Sequence, residues 1–354
     1  MKNFLNYYLK RRLLAVIIVA IGFLITTSIL LYNAEFISYK PLGDGTNNII
    51  AIPGSTNMFI YLTVMISSLC IVVPILEFAF KMKRRSIDLY YSLPIKRIKL
   101  YLLKYLLGLG EILVIFLPNW IVSYIWTSSV ATLYSVHFYW YYLVVAIAFG
   151  IGIYTYLTFF FTMANSLIDG IIFMVMGACF LAFTMNVICA ICIKNGVVNN
   201  IFYMRNYFIF SPLFNFSQEL YYIMCGDLEG AAIYRNILAL VLIILQCLGA
   251  GVGFFLYHAR KNSAELVSDD SNFILGYKTM LPILVITGFR LLKSIPVAVS
   301  ASASVESISA LWVVVALLGY FGYCIFRRSF RIKKEDILAL SLSIVTGVLI
   351  AIFI

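Results

Sequence analysis

Charged side chains are scarce in this chain. They make up 12% of its 354 residues, whereas a soluble domain carries about 25%. So few charges cannot cover the surface of a protein of this size, and hydrophobic residues, at 63%, are too many to bury inside one globule. These proportions exclude a soluble domain, a disordered chain and a secreted disulfide framework. They predict an all-α protein that crosses a membrane many times.

The residue types that enzymes and metal sites depend on are also rare or absent. Only two histidines are present, His137 and His258, so a histidine-rich metal site and a nucleophile–base–orienter set are both excluded. The pattern G-x-x-x-x-G-K-[ST] is missing, which excludes a P-loop of the chain's own. We therefore predict that this chain is not an enzyme and holds neither a metal nor a cofactor.

Small residues inside the apolar runs are interpreted as packing residues. The seven cysteines are odd in number and lack ligand-like neighbours, which favours core positions over redox or metal chemistry. Gly249, Gly251 and Gly253 lie in an apolar run with no preceding strand. Their spacing therefore favours close helix packing of the G-x-x-x-G type over a dinucleotide turn.

The basic residues are distributed unevenly around the predicted spans. The net charge is +11, and all but six of the 26 Lys and Arg residues fall at or near predicted cytoplasmic ends. This asymmetry is the one expected for a cell-membrane protein with its N-terminus in the cytoplasm, and it places the C-terminus outside. We interpret the basicity as topology and attraction to anionic lipid, and we expect no nucleic-acid partner. The six exceptions are Lys40, Lys194, Arg205, Arg235, Arg290 and Lys293.

Hydropathy divides the chain into a front core, a linker and a rear extension. An amphipathic helix at 1–12, suited to the headgroup layer, opens a six-span core that ends at 257. A polar cytoplasmic linker follows at 258–276, and three further spans lie in 277–354. The nine predicted spans are 13–32, 57–80, 100–126, 137–161, 167–193, 235–257, 277–296, 308–326 and 337–354.

Three acidic residues lie in or at the edge of apolar spans, where ionisable groups often mark pathways. Glu77 and Asp169 lie close to cytoplasmic ends, so we expect them to be interfacial or paired with a nearby Lys or Arg. Glu111 is expected to lie deeper. It is too far from Lys104, seven residues earlier on the same helical face, for direct pairing unless the lysine side chain leans inward. Glu111 either lines a pathway or forms a structural hydrogen bond to a neighbouring helix.

Aromatic side chains crowd the predicted outer segment 194–233. This segment is too apolar for a free loop and is interrupted by Pro212, which favours a re-entrant or surface-lying helical pair. An outer gate and an aromatic belt at headgroup depth are both compatible with this composition.

The densest basic stretch, between the second and third spans, has an unusual pattern. Ser86 to Ser92 can form two helical turns, and Pro94 ends them by forcing Leu93 out of the helical region. The apolar and aromatic residues of this short helix suit a groove on a soluble partner. A basic loop that only follows the positive-inside rule is the alternative.

A family resemblance rests on these residues. The stretch 84–109 reads RRSIDLYYSLPIKRIKLYLLKYLLGL and resembles the coupling region of bacterial ABC-2 type transporter permeases. The amphipathic N-terminal helix, the six front spans and the long outer segment are also similar to that family. The stretch 254–277 resembles permeases of this kind that carry extra spans behind the core.

The resemblance implies a transmembrane subunit of an exporter. Its partners would be cytoplasmic ABC ATPase subunits, which bind the ATP and Mg²⁺, and a second permease copy or a sister permease. The segment that couples to the ATPase would be the short helix and its proline turn. The resemblance assigns this role to Asp88, Leu89, Tyr90, Tyr91, Ser92, Leu93 and Pro94.

The sequence is also compatible with two other functions. A secondary transporter driven by an ion gradient is expected to have inverted repeats and ionisable residues at the bilayer midplane. A membrane scaffold or sensor subunit is expected to bind partners without transporting a substrate.

Overall fold

A computed structural model describes residues 2–32, 58–82, 86, 92, 95–130, 137–164, 166–178 and 209–224, with single helical positions within 241–252 and at 337, 341 and 345. In this part of the chain every regular element is helical, which confirms the predicted all-α class. The helices are α1 (Lys2–Tyr32), α2 (Met58–Phe78) with a 3-10 turn after it (Ala79–Met82), α3 (Arg97–Val130), α4 (His137–Thr162), α5 (Leu167–Ala178) and α6 (Ser211–Met224).

Four of these helices are long and apolar enough to cross a membrane. The membrane-spanning stretches are Arg12–Tyr32, Met58–Met82 (which includes the 3-10 turn), Ile98–Ser128 and Tyr139–Thr162, and they match the first four predicted spans. The chain is therefore a membrane-embedded helical protein.

The remaining predicted spans are described only in part. The helix α5 covers the first half of the predicted fifth span, and helical positions within 241–252 lie in the sixth. The linker 258–276 and the rear crossings fall outside the described residues, apart from the three helical positions at 337, 341 and 345.

The predicted amphipathic segment 1–12 is continuous with the first span. A single helix runs from Lys2 to Tyr32, so residues 2–12 form its first turns.

The chain forms two compact units. The first comprises Met1–Phe80, Arg85–Tyr156 and Pro212–Ala259, and the second comprises Lys81–Arg84, Leu157–Ser211 and Arg260–Ile354. The first unit contains α1, α2, α3 and most of α4.

Within the first unit, hydroxyl and thiol groups link α2 to α4. The hydroxyls of Thr63 and Tyr142 are 2.8 Å apart and buried, and the Cys70 thiol lies 3.4 Å from the carbonyl oxygen of Gly150. Because lipid is as apolar as the side chains, such polar contacts and close packing hold membrane helices together. Cys70 and Cys247 are buried and free, as expected for packing residues.

Glycines allow the helix backbones of the first unit to approach closely. A Cβ at Gly251 would lie 2.3 Å from Cγ2 of Thr155, whereas a Cβ at Gly249 would meet nothing within 4 Å. The predicted close packing of this glycine run is therefore confirmed at Gly251 and not at Gly249, and Gly253 lies outside the described residues. Gly108 of α3 plays the same part against α4: its Cβ would lie 2.2 Å from Oη of Tyr154.

The pair Gly108 and Gly110 provides a matched test of this packing. We expect Gly108→Ala to destabilise the protein by about 1–3 kcal/mol, because the buried Tyr154 ring must move away from its hydrogen bond to the Tyr105 carbonyl. Gly110→Ala, with open space around its Cβ, should be neutral or slightly stabilising. Apparent melting temperatures in detergent test this, and equal values for the two variants would contradict the packing described for Gly108.

Candidate functional site

Four charged side chains from three helices form one buried network in the first unit. The Arg12 guanidinium of α1 donates to Oε1 of Glu77 on α2. Its Nη1 also lies 3.0 and 3.1 Å from the two carboxylate oxygens of Glu111 on α3. The second cation, Lys104 of α3, places Nζ 3.4 Å from Oε2 of Glu77. The charges therefore alternate along one chain, Glu111–Arg12–Glu77–Lys104, which we call the charge network.

Local geometry explains how these residues meet. Lys104 and Glu111 are two helical turns apart, so they share the face of α3 that points toward α1 and α2. Glu77 is the last residue but one of α2, and Arg12 stands where the apolar stretch of α1 begins. On its other side, the Lys104 ammonium lies over the Phe80 ring, 5.5 Å from its centroid.

Burial is greatest at the Glu77–Lys104 end of the charge network. The side chains of Glu77 and Lys104 are 0% and 2% exposed, whereas those of Arg12 and Glu111 are 22% and 13% exposed. A buried charge without a partner is very costly, and Glu77 accordingly has a cation on each side. Two positive and two negative groups leave the network formally neutral.

The charge network lies near one end of the spans. The apolar stretch of α1 from Arg12 to Tyr32 has 21 residues, or about 31 Å of helix, which equals the bilayer core of about 30 Å. Arg12 therefore stands at one boundary of the hydrocarbon, and its guanidinium contacts Glu77 and Glu111 from there. The depth predicted for Glu111 stays a prediction, because on α3 this residue is 13 positions inside the apolar stretch that begins at Ile98. The helix α3 has 34 residues, about 51 Å, so its first turns extend beyond the bilayer core.

The acidic residues predicted in the spans make different contacts in the structure. Glu77 is paired with basic residues, as expected. Of the two roles considered for Glu111, the structure shows the hydrogen bond to a neighbouring helix. The sequence reasoning missed Arg12 and Lys104 as members of a site, because both had been assigned to the cytoplasmic positive charge.

Asp169 belongs to the second unit and caps a helix. The Ser166 hydroxyl donates to Oδ2 of Asp169 at 2.7 Å, and the Asp169 backbone N–H approaches the Ser166 hydroxyl oxygen at 3.2 Å. This pair closes the first turn of α5, where an acidic side chain also favours the helix dipole. The spacing Ser-x-x-Asp before an apolar run was the signal that could have predicted this cap.

In the same unit, the Lys81 ammonium is buried and donates to the carbonyl oxygen of Thr162. It thereby satisfies a carbonyl in the last turn of α4, as a cation at a helix C-terminus does. The C-terminal end of α4 is thus stabilised by a side chain from the turn that follows α2.

The predicted coupling residues are mostly outside the described part of the chain. Ser92 is exposed at a bend, and Ser86 is helical. The other predicted coupling residues, Asp88, Leu89, Tyr90, Tyr91, Leu93 and Pro94, lie outside the described residues.

The predicted outer aromatic segment contains α6. Its described part, Ser211–Met224, has 14 residues, or about 21 Å of helix. Its buried face consists of Leu213, Phe216, Ser217 and Leu220. Pro212 stands in its first turn, where proline is well tolerated, and so starts this helix.

A second polar contact links α1 to α2 and α3 at a different level. Asn119 of α3 donates from Nδ2 to the carbonyl oxygen of Ile115 at 2.7 Å, which turns its Oδ1 toward α1. There the Thr27 hydroxyl lies 2.6 Å from Oδ1. The Tyr61 hydroxyl of α2 lies 2.6 Å from the Thr26 hydroxyl. Thr27 and Asn119 are fully buried, so this contact is shielded from solvent.

No protein-family model, curated protein or solved structure matches this chain.

A double-mutant cycle tests the Glu77–Lys104 pair. We expect Glu77→Gln to cost about 3–5 kcal/mol, because it leaves the Lys104 ammonium buried without a carboxylate. The double variant Glu77→Gln with Lys104→Met should regain much of this loss, since it removes both buried charges and leaves Arg12 with Glu111. Unfolding stability in detergent is the measurement.

The matched control for this cycle is Glu111→Gln, which removes the more exposed carboxylate and should cost less than Glu77→Gln. Strictly additive losses for Glu77→Gln and Lys104→Met would mean that the two side chains do not interact.

Proposed function

We propose that this chain is the permease subunit of an ATP-binding-cassette exporter in the cell membrane. Its spans form the translocation pathway, and its N-terminus lies in the cytoplasm and its C-terminus outside. The observation that carries the proposal is the resemblance of 84–109 to the coupling region of ABC-2 type permeases. The absence of a P-loop in the sequence accords with ATP hydrolysis on a separate chain.

The helices on either side of the coupling segment support this proposal. The segment joins the 3-10 turn after α2 to the start of α3, and these two helices are tied together close to it. The Phe78 and Tyr101 rings stack with centroids 6.0 Å apart, and Lys104 pairs with Glu77. A force applied to the coupling segment would therefore move α2 and α3 together.

The proposed cycle uses this stiffness. Closure of two ATPase subunits around ATP and Mg²⁺ pushes the coupling segments of two permease chains, which are two copies of this protein or this protein and a sister permease. The paired helices α2 and α3 then swing between inward- and outward-facing states.

Substitutions in the coupling segment can be compared with a substitution of an exposed aromatic residue elsewhere in the chain. We expect Tyr91→Ala and Leu93→Ala each to lower ATP-dependent transport at least about tenfold, because truncating an anchor side chain at an interface commonly costs more than 1–2 kcal/mol. The measurement is transport in proteoliposomes that contain the permease with its co-purified ATPase. The control is Tyr32→Ala, which truncates a tyrosine that is 88% exposed at the end of α1 and should leave transport unchanged.

Co-purification in mild detergent is the accompanying measurement. If no P-loop ATPase accompanies the protein, or if both coupling variants transport normally, the proposal is wrong. A scaffold or sensor subunit would instead bind an ATPase without any substrate-stimulated ATP hydrolysis.

A secondary transporter driven by an ion gradient is the second candidate. The observation in its favour is the charge network, because carboxylates from two helices meet at one guanidinium, as in ion-coupled carriers. Substrate movement in ATP-free vesicles that follows an imposed proton or sodium gradient, and that Glu111→Gln abolishes, would favour this candidate over the exporter.

A further inference from the structure

The first helix, α1, is much less embedded in the protein than the other three membrane-spanning helices. Of its 18 most apolar consecutive residues only 6% are buried, compared with 44–61% in the other three helices. Of the α1 side chains described, Thr27 and Leu31 are buried, and an exposed apolar face runs from Leu13 to Ile29. Lipid contacts can replace apolar helix contacts at little cost, so polar contacts decide where such a helix is held.

Two polar contacts hold α1 at different levels. One is the set around Thr27, Asn119 and Tyr61, which we call the outer contact. The other is the pairing of Arg12 with Glu77 and Glu111, which we call the inner contact. They lie about 22 Å apart along α1. Between them, the α1 residues that face the protein are only half-buried: Val16, Ala20, Phe23 and Leu24.

The two contacts differ in the consequence of breaking them. Separation at the outer contact would leave Oδ1 of Asn119, a fully buried acceptor, without the Thr27 hydroxyl. A buried polar atom without a partner is strongly unfavourable, so the outer contact acts as a fixed point.

The inner contact is built so that it can open. When Arg12 leaves, the most buried carboxylate, Glu77, keeps Lys104 as its counter-ion. Glu111 is already partly exposed, and Arg12 stands at the hydrocarbon boundary, from which its long side chain can reach headgroups or water. Opening therefore leaves no fully buried charge without a partner.

We propose that α1 is a hinged helix, fixed to α2 and α3 at Thr27 and latched at Arg12 by an ionic contact that opens. In the open state, the part of α1 on the Arg12 side of Thr27 swings into the lipid and uncovers Glu77 and Glu111. The proposal is independent of the proposed function, because it holds for any source of energy that drives transport.

Spin-label distances test the hinge in the full chain in lipid nanodiscs. Labels attached through bioorthogonal non-natural residues leave the natural cysteines in place. Leu14 of α1 and Leu106 of α3 form an inner pair, and Ile29 of α1 and Ile125 of α3 form an outer pair. All four side chains are exposed and make no described polar contact.

The decisive variant is Arg12→Gln. We expect it to shift the inner-pair distance by about 5 Å or more, the length of one helical turn, or to add a second population of that size. The outer pair should keep its distance. Thr27→Val should have the opposite pattern and move mainly the outer pair.

Lys10→Gln is the matched control, because it removes an exposed positive charge from the same helix and should change neither distance. Glu111→Gln is the second test variant and replaces Arg12→Gln if that variant fails to fold. It weakens the inner contact while Arg12 keeps Glu77, and a smaller second population at the inner pair is expected.

Each result has a definite reading. A change at the inner pair alone supports the hinge. Unchanged distances in every folded variant among Arg12→Gln and Glu111→Gln would overturn it, because packing alone would then hold α1. Movement of both pairs by Arg12→Gln would also overturn it, since α1 would then be detaching as a whole. Failure of ATP-dependent transport in wild type would bear on the proposed function and not on the hinge.

Discussion

An ionisable group buried inside a bilayer needs a counter-charge or a backbone carbonyl as its partner, and the arrangement of the first three helices follows from this constraint. Glu77 is completely buried and is compensated by Arg12 from α1 and Lys104 from α3. One carboxylate therefore fixes the mutual height of three helices that otherwise contact one another mainly through apolar side chains. Since lipid competes with apolar contacts on nearly equal terms, the charge network contributes more to the position of these helices than its few atoms suggest.

The same constraint connects the fold to the proposed transport role. The Glu77–Lys104 pair and the Phe78–Tyr101 stack tie α2 to α3 next to the proposed coupling segment. By contrast, α1 is joined to these two helices through a shielded hydrogen-bonded contact and a partly exposed ionic one. In the proposed exporter, a stiff pair beside the proposed hinged helix would provide both parts that alternating access needs, namely an element that transmits force and an element that yields.

Composition and hydropathy were enough to predict the helical membrane class and the first four spans, because about 20 apolar residues in a row have few alternatives. The pairing of Glu77 with a basic residue was also predictable from the cost of an isolated buried charge. Which basic residues would be its partners was not predictable. Arg12 lies 65 residues from Glu77 and 99 from Glu111, and nothing local relates those positions. The depth of Glu111 could not be fixed from its position along α3, because that helix is longer than the bilayer core is thick.

The position of Arg12 at the very beginning of the apolar stretch has a consequence for biogenesis. The ribosome delivers Arg12 before either of its carboxylates exists, so α1 enters the membrane with an unmatched guanidinium. At the hydrocarbon boundary, lipid phosphates can neutralise that charge until Glu77 and then Glu111 are inserted. Assembly of the bundle is then an exchange of counter-anions, from phospholipid to protein, and its completion depends on the arrival of α3.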